Sequence, residues 1–178
     1  MTSDTDRRLL LQLARDAIVA HVTGAAAPAT SVCPHANEPG AAFVTLHRHG
    51  ELRGCIGHIE ADEPLGRVIA RGAVAAASAD PRFPPVGASE LPELEIELSL
   101  LGPLEPVMTP DDIEVGRDGL VVELGRHRGL LLPQVAPEWG WDRVMFLAQT
   151  CHKAGLPRDA WKQGATVWKF EAEVFGER

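Results

Sequence analysis

The sequence lacks the features that mark several classes of function. It has no Cys-x-x-Cys pair, and its three cysteines, Cys33, Cys55 and Cys151, stand far apart. An odd number of scattered thiols in 178 residues argues for reduced side chains, because a chain this long builds a core without disulfides. Basic residues are also in deficit. With 17 Lys and Arg against 25 Asp and Glu, the net charge is −8, which excludes a nucleic-acid surface built on clustered cations. An acidic excess mainly serves solubility. No apolar run is long enough to cross a bilayer, and residues 69–79 are interrupted by Arg71 and Gly72. The opening Thr2-Ser3-Asp4-Thr5-Asp6 is not a basic stretch followed by an apolar one, so no secretory signal and a cytoplasmic location are expected. A Gly-rich phosphate loop, a nucleophile elbow and a dinucleotide fingerprint are all missing, and no cofactor is indicated.

What is present reads as an ordinary globular chain, 45% hydrophobic and 24% charged. Leu9, Leu10, Leu13, Ala14, Ala17 and Ile18 recur at helical spacing, which predicts an amphipathic helix over residues 5–21. Residues 23–40, rich in Ala and Pro, have no period and read as a long surface connection, either slack or a lid. Ala42, Val44 and Leu46 alternate with Phe43, Thr45 and His47, and after Arg48-His49-Gly50 the chain returns through residues 51–57, which predicts a hairpin. Placing Val44, Leu46, Leu52 and Ile56 on one face requires a three-residue loop, with Thr45 opposite Arg53 and Phe43 opposite Cys55. Arg53 and Cys55 then point the same way.

Asp62-Glu63-Pro64 opens a second helix that runs to Ala79, and Asp80-Pro81-Arg82-Phe83-Pro84-Pro85 ends it. Leu94, Ile96, Leu98 and Leu100 alternate with Glu93, Glu95, Glu97 and Ser99, a strand with one wet face. Thr109-Pro110-Asp111-Asp112 reads as a capped helical turn, and residues 119–124 and 129–132 flank a tip at Gly125-Arg126-His127-Arg128. A helix over 141–154 closes at Gly155, and Trp168, Phe170, Ala172 and Val174 mark a last antiparallel strand. Strands joined sometimes by turns and sometimes by helices predict an α+β fold, a mixed, largely antiparallel sheet flanked by helices.

The chemistry centres on Leu52-Arg53-Gly54-Cys55-Ile56-Gly57. Gly54 and Gly57 remove side chains where a ligand or another backbone can approach, and a guanidinium at Arg53 on the face of Cys55 favours the nucleophilic thiolate. A Cys on a bulged strand packed against Phe43 is the other reading. His47 shares the expected face but lies well along the strand. Cys33 with His35, Cys55 with His58, and Cys151 with His152 offer ligand types, yet none has paired metal spacing and no metal site is predicted. A row of Glu on one strand face is usually solvated, and Arg126, His127 and Arg128 read as a polar tip.

Six ordered blocks carry a resemblance: Phe43-Val44-Thr45-Leu46, residues 52–57, residues 80–85, Leu94-Glu95-Ile96-Glu97-Leu98-Ser99, Leu131-Leu132-Pro133-Gln134-Val135 and Lys153-Ala154-Gly155-Leu156. With them the chain resembles the AMMECR domain family, whose prokaryotic members are called AmmeMemoRadiSam system protein A. The resemblance implies one AMMECR domain over residues 1–178, of two unequal lobes with a cleft, and residues 52–57 as the functional centre. Arg82, Glu97 and Lys153, each within one of these blocks, are expected with Gly54 and Gly57 as binding residues. It implies no known reaction, and it points to a Memo-like protein and a radical SAM protein as partners. Two functions therefore stand open. One is an enzyme with Cys55 as nucleophile or redox thiol and Arg53 orienting an anionic group. The other is a non-catalytic binding or scaffold module that presents aromatics such as Trp139 and Trp161.

Overall fold

The computed structural model describes residues 1–177. The chain divides into two compact units, residues 1–101 with the segment from 173 onward, and residues 102–172.

In the first unit, helix α1 (Asp4–Thr23) starts where Ser3 Oγ accepts the Asp6 N–H at 3.1 Å and stops at Gly24 with φ 76°. It buries Leu10, Leu13, Ala14, Ala17 and Ile18 as the spacing predicts, while Leu11 replaces Leu9 on the inner face. Strands β1 (Ala41–Arg48), β2 (Glu51–His58) and β3 (Leu94–Leu101) form an antiparallel ladder with β1 in the middle. Helix α2 (Leu65–Ser78), opened by Pro64, packs on β1, β2 and α1. Val44, Leu46, Ile96 and Leu98 meet Leu10, Ile18, Val68 and Ile69 in one core.

Two expectations fail here, each for a physical reason. The hairpin turn has two residues, His49 (φ 54°) and Gly50 (φ 77°), the left-handed pair whose twist suits antiparallel strands. Parity is restored by a bulge. Leu46 pairs with Gly54 and His47 with Leu52, which leaves Arg53 as the extra residue. Thr45 therefore faces Cys55, Phe43 faces Gly57, and Leu52 is exposed, off the core. Residues 23–40 are not slack either. Cys33 and Ala36 are buried in the core, and the chain is tied to the start of α2 by Gly40 N to Glu63 O (3.1 Å) and Leu65 N to Glu38 O (2.8 Å).

The second unit holds strands β4 (Glu105–Pro106), β5 (Asp118–Leu124), β6 (His127–Leu131) and most of β7 (Thr166–Gly176), with helices α3 (Val135–Trp139) and α4 (Arg143–Lys153). β5 pairs antiparallel with both β6 and β7. Leu120, Val122, Phe146, Leu147, Cys151 and Val167 form its core. The hairpin tip is Gly125-Arg126 alone, since His127 and Arg128 already pair with Leu124 and Glu123. Asp142 caps α4 through Met145 N (2.8 Å), and Gly155 (φ 77°) ends it as expected. β7 crosses from the second unit into the first, where Glu177 N donates to Ile96 O at 2.9 Å. The result is a mixed α+β protein with antiparallel ladders flanked by helices. No helix among the described residues is long and apolar enough to cross a membrane.

Gly54 marks the tightest approach of α2 to the sheet, because a methyl on its Cα would collide with the Ala76 carbonyl oxygen. Gly54→Ala must separate helix from strand, and we expect a loss of about 3 kcal/mol in stability, read by urea unfolding.

Candidate functional site

β2 has only β1 as a hydrogen-bonded neighbour, so its outer N–H groups need other acceptors. The acceptor at Cys55 is Asp80, just beyond α2, whose Oδ2 takes the Cys55 N–H at 3.0 Å. Asp80 is only 4% exposed, and a buried carboxylate must be matched by donors. Arg82 provides them. Its backbone N–H donates to Oδ1 at 3.1 Å, a turn in which Asp bonds the backbone two residues on. Its Nε and Nη2 close a fork on the same carboxylate at 3.0 and 2.7 Å. This fork, with the Cys55 and Arg82 N–H groups, holds the Asp80 carboxyl far below the usual carboxylate range. Arg82 is in turn held more firmly charged than usual, chiefly by its hydrogen bonds to Asp80. Its side chain remains 48% exposed.

On the sheet face, Cys55, Thr45 and Glu97 form one row across β2, β1 and β3. Cys55 Sγ and Thr45 Oγ1 lie 3.4 Å apart in a hydrogen bond, with the thiol half-buried and Thr45 buried. In the neighbouring rows His47 pairs with Glu95, and Phe43 with Ser99. Ser99 is fully buried and its Oγ lacks a hydrogen-bond partner, so the wet face expected for β3 ends at Glu97. A half-buried thiol bonded to a hydroxyl has the chemistry of a nucleophile, and a partly exposed forked guanidinium that of an anion ligand.

Arg53 is paired with a carboxylate that the sequence reading did not single out. Its Nε and Nη2 donate to the Glu90 carboxylate at 2.9 and 3.2 Å, and its side chain is only 11% exposed. Nη1 is buried without a hydrogen-bond partner. Glu90 also accepts from Arg48 Nη1 (3.2 Å) and Gly87 N (3.1 Å), and Arg53 is the main cause of its lowered pKa. The Phe83 ring lies 6.0 Å from the Arg53 guanidinium and 5.4 Å from that of Arg82. Arg53 thus anchors the segment after Asp80, while Arg82 is the more accessible cation.

At both glycines protein atoms stand where a side chain would begin. Ala76 fills the space at Gly54, and the Phe43 ring fills that at Gly57. Lys153 is exposed at the end of α4 in the second unit. Trp161 packs against the second core, whereas Trp139 is 70% exposed and stacks on Trp141 with centroids 6.2 Å apart. None of the three cysteines is in a disulfide, and Cys33 and Cys151 are buried. Sequence reasoning missed Asp80, Thr45, Phe83 and Glu90. For Asp80 a signal existed, since Asp-x-Arg after a helix is a turn in which Asp reaches its own backbone.

Asp80 also predicts a pH dependence. Because its folded pKa is depressed, its contribution is complete above about pH 4, the ordinary carboxyl value, and is lost as pH falls through the folded pKa. Asp80→Asn should cost about 2–3 kcal/mol at pH 7, with the gap from wild type narrowing steadily below pH 4 in urea titrations.

Comparison with known proteins agrees with this fold. The AMMECR1 family model matches residues 11–175. A protein of Methanosarcina acetivorans is 44% identical, covering 100% of this chain and 94% of its own length. One from Thermococcus onnurineus is 48% identical over 94% of this chain and 88% of its own. Neither bears a functional name. A crystal structure of an uncharacterised protein from Pyrococcus horikoshii superimposes with a TM-score of 0.89 at 45% identity, covering 95% of this chain and 90% of that one. The residues that build the Asp80–Cys55–Thr45 arrangement all fall inside the matched span, and the chain belongs to the AMMECR1 family.

Proposed function

We propose that this protein is a cytoplasmic, thiol-dependent enzyme in which Cys55 is the nucleophile and Arg82, rather than Arg53, orients an anionic group of the substrate. The observation that carries this reading is the half-buried Cys55 sulfur, hydrogen-bonded to Thr45, on a residue whose backbone N–H shares the Asp80 carboxylate with an Arg82 guanidinium that is itself half in solvent. A thiol serving only as packing would be buried, as Cys33 and Cys151 are. Asp80 fixes the Cys55 backbone and the Arg82 guanidinium to one carboxylate, which favours a constant placing of the cation relative to the strand. Glu97, one strand beyond Thr45 in the same row, supplies a carboxylate on that row.

A second reading rests on Trp139. An exposed tryptophan stacked on Trp141 is the kind of anchor that concentrates binding energy, and it supports a binding or scaffold module whose partners are a Memo-like protein and a radical SAM protein. Iodoacetamide labelling of the native protein, read by mass spectrometry at pH 7, separates the two. Under the enzyme reading Cys55 labels before any denaturation, and Arg82→Gln slows it about three- to tenfold, because a nearby cation favours the reactive thiolate. Labelling of Cys55 only after denaturation would sink the enzyme reading and move the weight to Trp139.

A further inference from the structure

We propose that His58, Asp62 and Glu63 form a binding site for a divalent transition-metal cation, a site that uses no residue of the Cys55 arrangement. β2 ends at His58, and Asp62 and Glu63 lie just before Pro64 opens α2, so the strand end and the helix start bring the three side chains together. One ligand atom from each, the imidazole nitrogen and two carboxylate oxygens, falls within 4.8 Å of both others. His58 Nε2 and Asp62 Oδ1 are already 2.8 Å apart. Two ligands on neighbouring positions of a metal with bonds of roughly 2.1 Å stand about 3 Å apart, so the separation of this pair already suits a shared cation once the imidazole turns its nitrogen from the carboxylate to the ion.

The donor set decides the class of cation. An imidazole with two carboxylates suits Zn²⁺, Mn²⁺, Fe²⁺ or Co²⁺, whereas Mg²⁺ and Ca²⁺ prefer oxygen alone. Three protein ligands leave positions for water, the pattern of an open site rather than a closed structural one. Glu63 is held by Arg71, whose Nη1 donates to Oε2 at 2.8 Å and leaves Oε1 available. Such an outer partner on a ligating carboxylate fixes its orientation. Arg71 also opposes a cation, but its side chain is half exposed, so water screens the repulsion. Glu63 is further steadied by its carbonyl, which accepts from Gly40 N.

The test is titration of the chelator-treated full chain with Co²⁺ followed by visible absorption, and with Zn²⁺ in competition with a chromophoric chelator. We expect one equivalent per chain, weak visible bands, and no sulfur-to-metal charge-transfer band. His58→Ala and Asp62→Asn should each weaken binding at least tenfold, Glu63→Gln should do so to a lesser degree, and Cys55→Ser should leave it unchanged. All three ligand residues lie at the surface, and circular dichroism confirms that the variants are folded. Absence of stoichiometric binding below millimolar metal overturns the proposal. So does affinity unaltered in His58→Ala, or affinity lost in Cys55→Ser. Because Cys55 alkylation is read separately, failure here leaves the enzyme reading where it stood, and the reverse also holds.

Discussion

A carboxylate enclosed by protein is tolerated only when its lone pairs are all met, and around Asp80 this requirement organises the surrounding chain. One oxygen takes the outward N–H of Cys55 and one prong of the Arg82 fork, and the other takes the Arg82 backbone and the second prong. The end of α2, the middle of β2 and the first residues of the following turn are thereby fixed to a single point. Without it, the edge of β2 would carry an unmet donor, and the Arg82 guanidinium would lose the carboxylate that holds it. The electrostatics around β2 follow from this one group, since Asp80 holds the Arg82 guanidinium on the same carboxylate as the Cys55 backbone.

The bulge at Arg53 is the second constraint. A two-residue turn and an unbroken ladder would have placed the apolar residues of β1 and β2 on opposite faces, and the extra residue reconciles the tight turn with pairing of the buried Val44 and the partly buried Ile56. Bulges re-aim side chains. Here Arg53 reaches Glu90, which also gathers Arg48, so the segment from Asp80 to Glu93 is fastened to the sheet at both ends. Phe83 lies between these fastenings with a guanidinium from each, and its place follows from the two ion pairs rather than from burial.

Much of this was legible from periodicity. The helices α1, α2 and α4 and the alternating strands β1, β3 and β7 announce themselves because burial on one face imposes a repeat of about 3.6 or 2. Register was not legible, since a bulge leaves no mark in composition and only the pairing partner reveals that Arg53 is the supernumerary residue. Residues 23–40 misled because Ala and Pro read as loose chain, whereas Cys33 and Ala36 are small enough to enter the core without any period. In the site, Cys55 was visible from its setting among glycines, but the glycines themselves serve helix and ring packing. Thr45 depended on the register. Asp80 was read as a helix stop, which it is, and its second task depended on a contact 25 residues away.

The placement of Asp80 also bears on how the protein behaves in company. An edge strand offers its unused backbone to any other extended chain, and the resulting pairing is a common route to aggregation. At Cys55 that offer is withdrawn, because the donor an incoming strand would need is already taken by a carboxylate backed by a guanidinium. The Pro residues on both sides of Arg82-Phe83 stiffen the same turn, which gives a visiting strand little chance of displacing it. The group that holds the Arg82 guanidinium thus also guards the sheet against its own copies.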